Sequence, residues 1–246
     1  MASPVLLEIC VDSVEACIAA AEGGADRLEL CAGLVEGGTT PSAGTLAFAL
    51  EKVRIPIVVL VRPRRGDFLY STVELETMRR DVLAAKSAGA SGVAIGALER
   101  DGTVARYAVR TLVNAARPMP VVFHRAFDHV LDPLQALQTL VELGIERVLT
   151  SGGAATAPEG TERIAELVQA ARGRIEILAG GGVRPENVRA LVRKTSVSEV
   201  HATARELVSS AMEHRPEVPR FDGEPVETWQ LHATRAERVR SLRSAL

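Results

Sequence analysis

Charge of one sign is not in excess among these 246 residues: 29 Lys+Arg stand against 31 Asp+Glu, a formal net charge of −2. A protein that neutralises phosphates needs a basic footprint, so nucleic acid is not an expected partner. No run of ~18 apolar residues is present to cross a bilayer, and no membrane association is expected. Cysteine is scarce as well. Three cysteines, an odd number with no C-x-x-C pair, make neither a disulfide framework nor a structural zinc signature. The start of the chain lacks the basic, apolar and small-residue succession of a signal peptide. Together these absences point to reduced thiols and a cytoplasmic location. Lysine is confined to Lys52, Lys86 and Lys194, and the Arg and Ala excess reads as genomic base composition. Walker, G-x-G-x-x-G, H-E-x-x-H and G-x-S-x-G patterns are all missing, which removes the most direct routes to nucleotide, zinc-peptidase or serine-hydrolase chemistry.

What is present is a 47% apolar chain, too apolar for disorder, in which short β-branched runs alternate with stretches of helical period. Eight strand candidates begin near Val5, Asp26, Pro56, Ser91, Pro120, Glu146, Arg174 and Ser198, at close to 30-residue spacing. Asp12-Ser13-Val14-Glu15, Ser71-Thr72-Val73-Glu74 and Asp132-Pro133-Leu134-Gln135 offer helix caps. Gly23, Gly89, Gly144 and Gly173 are expected to stop helices, and Pro41, Pro133 and Pro185 to sit in first turns. Eight βα repeats predict an α/β fold, a single TIM barrel over residues 1–204. An open doubly wound sheet is the alternative. Residues 205–246 are expected to form a C-terminal extension packed on the barrel or on a partner subunit. Its polar, proline-rich part runs from Glu213 to Pro225, and a helix with Val239, Leu242 and Leu246 on its apolar side ends it.

In a barrel strand the outward positions lie under helices, so polar alternation reports what points inward. Glu8, Cys10 and Asp12 share one face of the first strand, and Arg27, Glu29 and Cys31 share one face of the second. Both strands thus aim a carboxylate and a thiol into the barrel, with the cysteines toward the C-terminal ends where TIM-barrel sites are built. At a strand spacing of ~4.8 Å, Cys10 and Cys31 could approach one another. Arg62 and Arg64 after the third strand, and His124 and Asp128 after the fifth, crowd the same rim. Buried charges need partners, so Glu8 and Glu29 are expected to meet Arg27, Arg62 or His124. Such a cluster either performs acid–base chemistry or is a structural ion network. Ser151 and Gly152 after the sixth strand, and Gly180, Gly181 and Gly182 after the seventh, expose backbone N–H groups suited to an anion, or else serve tight packing. His201 ends the last strand facing inward with Glu199. Cys17, on the first helix, reads as a small buried hydrophobe.

The strings LEICVDSVEACIAAAEGGADRLELC ending at Cys31, EGGTTPS (36–42), RPRRGDFLYS (62–71), FHRAFD (123–128), ERVLTSGG (146–153) and AGGGV (179–183) resemble the CutC copper-homeostasis family from about Leu6 to Arg205. The resemblance implies a cytoplasmic TIM barrel, oligomeric and often dimeric, with a link to copper tolerance. It also implies Cu(I) as ligand, bound by Cys10 and Cys31. Two departures stand out. Arg65 takes the place of a usual glycine, and His129 stands where methionine is common. Two readings of function remain: a Cu(I)-binding protein with Cys10 and Cys31 as metal ligands, or an enzyme on a small anionic, phosphorylated or sugar-like metabolite. In the second, Glu8, Glu29, Arg62, His124 and Asp128 surround the chemistry, while Arg64, Ser151, Gly152, Gly180, Gly181, Gly182 and His201 hold the ligand.

Overall fold

Alternation along β1 (Leu6–Val11) and β2 (Arg27–Leu30) divides apolar from polar positions, and the computed structural model, which describes residues 5–214 and 229–246, follows that division. Leu7, Ile9, Val11, Leu28 and Leu30 join the apolar layer under the helices, whereas Glu8, Cys10, Arg27 and Glu29 are buried on the inner face. Six further parallel strands complete a closed barrel: β3 (Ile57–Leu60), β4 (Gly92–Ile95), β5 (Val121–Phe123), β6 (Arg147–Thr150), β7 (Glu176–Gly180) and β8 (Glu199–Ala202). β1 pairs with β2 on one side and β8 on the other, so Glu8 lies level with both Arg27 and His201. Closure leaves no barrel strand with an unpaired edge, which is why eight short strands suffice.

Seven helices follow the first seven strands: α1 (Val14–Glu22), α2 (Ala43–Lys52), α3 (Thr72–Ala88), α4 (Arg106–Ala116), α5 (Pro133–Leu143), α6 (Thr161–Ala171) and α7 (Pro185–Thr195). Their ends obey local chemistry. Ser71 and Glu74 form a reciprocal capping box on α3, and Asp132 caps α5 ahead of Pro133. Three expected boundaries shift by a residue or two. Ser13 rather than Asp12 caps α1, because its hydroxyl accepts from the Ala16 N–H at 3.1 Å. Pro41 lies just before the Ser42 cap of α2, outside the first turn. Arg172, at φ 50°, ends α6 one residue before Gly173.

The eighth helix does not follow β8 directly. An antiparallel pair, β9 (Arg205–Ser209) and β10 (Gln230–Thr234), intervenes, and α8 (Ala236–Ala245) then packs against α7 and α1. The helix expected in the tail is therefore the one that completes the ring around the barrel, with Val239 and Leu242 fully buried. The Arg243 guanidinium clamps it down, donating to the carbonyls of Gly24 and Val5, both at 3.1 Å, and pairing with Asp26. Most of the proline-rich stretch lies outside the described residues. Among the described residues, no helix is long and apolar enough to cross a membrane.

The barrel interior is split. Val58, Leu60, Ala94, Val122, Leu149 and Leu178 make an apolar half on β3 to β7. Glu8, Arg27, Glu29, Glu199 and His201 make an ionic half on β1, β2 and β8. The fit of α8 gives a direct test of the closure. A Cβ at Gly23 would run into the Val239 side chain and lie 2.7 Å from the Ala236 carbonyl. Gly23→Ala is expected to lower unfolding free energy by about 1–3 kcal/mol through overpacking, read by urea denaturation. An unchanged midpoint would mean that α8 is not seated on α1.

Candidate functional site

Glu8 is the centre from which the site is built. Its Oε2 is paired with the Arg27 guanidinium and its Oε1 with His201 Nδ1 at 2.7 Å. Arg27 also reaches Glu199, which in turn accepts from Arg147 at 3.3 Å. Burial alone would raise the Glu8 carboxyl, but the hydrogen bond and charge of His201, together with Arg27, hold its pKa down at about 2. Burial likewise disfavours the His201 cation, yet the Glu8 hydrogen bond and the Glu29 and Glu8 charges raise its pKa above the ordinary 6.5. Expected partners Arg62 and His124 do not reach these carboxylates. They follow β3 and β5, whereas Arg27, as expected, and His201, which was not, lie level with Glu8 in the sheet and take the role.

One layer higher, toward the C-terminal ends of the strands, Cys10 lies level with Glu29. The Cys10 thiol donates to Glu29 Oε2 at 3.2 Å and stands 3.8 Å from Cys31 Sγ. Cys31 donates to the Val11 carbonyl at 3.4 Å, and both thiols are free. The hydrogen bond with Cys31, burial and the Glu29 charge push the Cys10 thiol well above its usual range. Burial, joined by the Glu8 charge, raises Glu29 against the opposing pull of His201, Cys10 and Arg27. The ligand atoms of Cys10, Glu29 and His201 all lie within 4.8 Å of one another. This is a donor set of sulfur, oxygen and nitrogen with a second sulfur beside it.

Above this floor opens a cavity of about 1210 Å³, whose lining includes Cys10, Glu29, Arg62, His124, Gly181, Gly182 and His201. Other expected residues lie apart from it. Arg64 turns outward onto Glu74 and Asp67. Asp128 accepts from the backbone N–H groups of Ser151 and Gly153, at 3.0 and 3.1 Å, and Gly152 donates to Thr150 Oγ1. The loop after β6 therefore spends its donors on the protein's own groups rather than holding them open for an anion. Gly180 serves packing, since a Cβ there would stand 2.6 Å from Leu149 and 3.0 Å from His201. His201 sits between two carboxylates, which fits a carboxylate partner or a metal donor better than an anion ligand. Cys17 is fully buried, and burial pushes its thiol up to about 12.

The lining also holds residues not singled out from sequence: Phe68, Arg125, Arg184, Arg205 and Arg238. Phe68 and Arg125 lie inside the strings RPRRGDFLYS and FHRAFD, so the motifs contained them. Strand alternation missed them because both follow the strands, Arg125 in a 3-10 turn over Arg125–His129.

The Glu8 network has a pH signature. A depressed carboxyl stabilises the fold above its unfolded value of 4.5 and loses that contribution as pH falls toward about 2. A raised histidine does the opposite, contributing fully below 6.5 and losing that contribution as pH rises through its folded value. Glu8→Gln is expected to cost about 3–5 kcal/mol at neutral pH, as when one member of a buried pair is removed. It is also expected to flatten the acid limb of stability against pH. Urea unfolding at a series of pH values checks both, and an unaltered acid limb contradicts the assignment.

The CutC family model matches residues 5–206. A protein of Homo sapiens named copper homeostasis protein cutC homolog is 49% identical over 210 residues, 85% of this chain and 77% of its own length. A CutC family protein of Chromobacterium violaceum is 46% identical over 241 residues, covering 98% of each chain. Among solved structures, a CutC protein from Streptococcus agalactiae superposes with a TM-score of 0.77 at 34% identity, covering 81% of this chain and 98% of its own. At 14% identity, phosphoribosylanthranilate isomerase of Thermotoga maritima, with a TM-score of 0.57, shares the fold alone. With the family model spanning the barrel strands and relatives near half identity over most of the chain, this protein belongs to the CutC family.

Proposed function

We propose that this chain serves copper homeostasis by binding Cu(I) through the thiolates of Cys10 and Cys31. The observation that carries the proposal is the 3.8 Å separation of two free sulfurs, Cys10 in the lining of the cavity and Cys31 buried beside it. That is less than twice a metal–thiolate bond of about 2.3 Å, so both sulfurs can reach one ion. Cu(I) is soft and low-coordinate, which suits two thiolates better than the four-ligand demand of structural zinc. Glu29 and His201 offer a third donor beside Cys10. The names of the human and mouse relatives support the same role. A cytoplasmic location and a homodimer belong to this proposal.

The elevated Cys10 thiol makes binding proton-linked, because the metal must displace protons held tightly by the Cys31 hydrogen bond, by burial and by Glu29. An anaerobic competition titration against a chelator of known affinity tests the proposal. Wild-type protein is expected to hold Cu(I) at sub-nanomolar free copper, roughly −12 kcal/mol or tighter. Its affinity should rise by about tenfold per pH unit for each proton displaced. Cys10→Ser/Cys31→Ser is expected to lose this binding. Equal, weak binding by both proteins would refute the role.

A further inference from the structure

Just past the end of β3, the strand beside β2, the lining carries a positive charge without a matching carboxylate. Arg62 is 7% exposed. Its guanidinium donates only to carbonyl oxygens, those of Glu36 and Gly38 at 3.1 and 2.8 Å and that of Gly66 at 2.8 Å. Among the described residues no carboxylate oxygen lies within 4.0 Å of it; its buried Nε–H makes no well-formed hydrogen bond, and the neutral Tyr70 hydroxyl is its side-chain neighbour. Carbonyl dipoles solvate a buried cation but leave its charge uncompensated, and that arrangement favours an anion arriving from outside the chain.

His124 stands on the same wall, 5% exposed. Its Nδ1 accepts from the Ala126 N–H at 3.1 Å, which leaves the ring proton on Nε2, and Nε2 has no partner. Burial and the Arg62 charge hold its pKa at about 3, so the ring is a neutral hydrogen-bond donor at physiological pH. Phe68 bridges the two residues, with the Arg62 guanidinium 5.2 Å above its ring and the His124 ring centroid also 5.2 Å away. Next in the chain, Arg125 uses Nε on Asp128 and Nη2 on Ser151, while its Nη1 lies beside Gly181 at the cavity wall. Arg184, Arg205 and Arg238 add further guanidinium groups to the lining, against the carboxyls of Glu29 and Glu186.

We propose that this wall, Arg62 with His124 and Arg125, binds the oxyanion group of a small metabolite, a carboxylate or a phosphate, in the same cavity that Cys10 lines. Arg62 supplies the compensating charge, and His124 and Arg125 supply directed N–H donors. The site is separate from the proposed copper ligands, because it uses none of Cys10, Cys31, Glu29 and His201.

Calorimetric titration of the copper-free protein with inorganic phosphate and, separately, with acetate tests the inference. Arg62 also ties together the chain segments at Glu36, Gly38 and Gly66, so variants at His124 and Arg125 are used instead. His124→Phe keeps a ring against Phe68 and removes the donor; Arg125→Gln removes charge at the rim. Saturable binding of phosphate alone or of acetate alone identifies the group recognised. Each variant is expected to weaken that binding by about tenfold, and Cys10→Ser/Cys31→Ser to leave it unchanged. No saturable binding of either anion to the wild type, or equal binding in the wild type and both variants, overturns the proposal. Wild-type NMR of the His124 Nε2–H gives a second readout that needs no variant: its resonance should move with the titration, and a stationary resonance counts against the site.

Discussion

The ionic bond between Glu8 and Arg27 is the constraint around which the barrel mouth is arranged. A carboxylate this deeply enclosed cannot remain charged without a partner, and Arg27 and His201 flank it from the two neighbouring strands. Satisfying Glu8 fixes β1 between β2 and β8 at a register that also sets the layer above. In that layer Cys10 is level with Glu29, and Cys31 comes within reach of Cys10. The protonation pattern follows from the same source. Glu8 takes the favourable partners and stays ionised, so Glu29, raised first by burial and then by the Glu8 charge, is pushed the other way. Two carboxyls on neighbouring strands thereby acquire opposite tendencies.

This asymmetry separates two chemistries within one cavity. On the β1, β2 and β8 side are sulfur, a carboxyl with a raised pKa and a histidine; on the β3 and β5 side are a guanidinium solvated by carbonyls and a neutral imidazole. The apolar half of the interior packs against Cys10 and Cys31 and gives rigidity and a low dielectric. A soft cation suits the first wall and an oxyanion the second. Because the walls are built from different strands, each can be altered while the other is kept.

Much of this was legible in the sequence, and the reasons for the rest are specific. Period-two alternation told which side of β1 and β2 faces inward, because a barrel strand has helices over one face and the interior on the other. It therefore placed Glu8, Cys10, Arg27 and Glu29 together. Alternation gives the face but not the height, and pairing depends on height. The partner of Glu8 is His201, 193 residues away in the chain and adjacent only because the barrel closes. Arg62 and His124 were legible as rim residues, while their lack of carboxylate partners was not, since that depends on which loop carbonyls fold over them. Ser151 and Gly152 looked like anion donors because glycine-rich turns expose N–H groups. Asp128 had already claimed part of that loop, a contact from another βα turn that no local pattern reveals. Helical period in the tail was readable, but only the packing on α1 and α7 identifies α8 as the helix that completes the ring.

The measurement closest to the central claim is X-ray absorption at the copper edge of protein loaded anaerobically with one Cu(I) per chain. If Cys10 and Cys31 hold the ion, the first shell contains two sulfur scatterers, with any further light donor supplied by Glu29 or His201. A first shell of nitrogen and oxygen alone would contradict the account, because it would put the copper elsewhere than between the two thiols that the Glu8 network brings together.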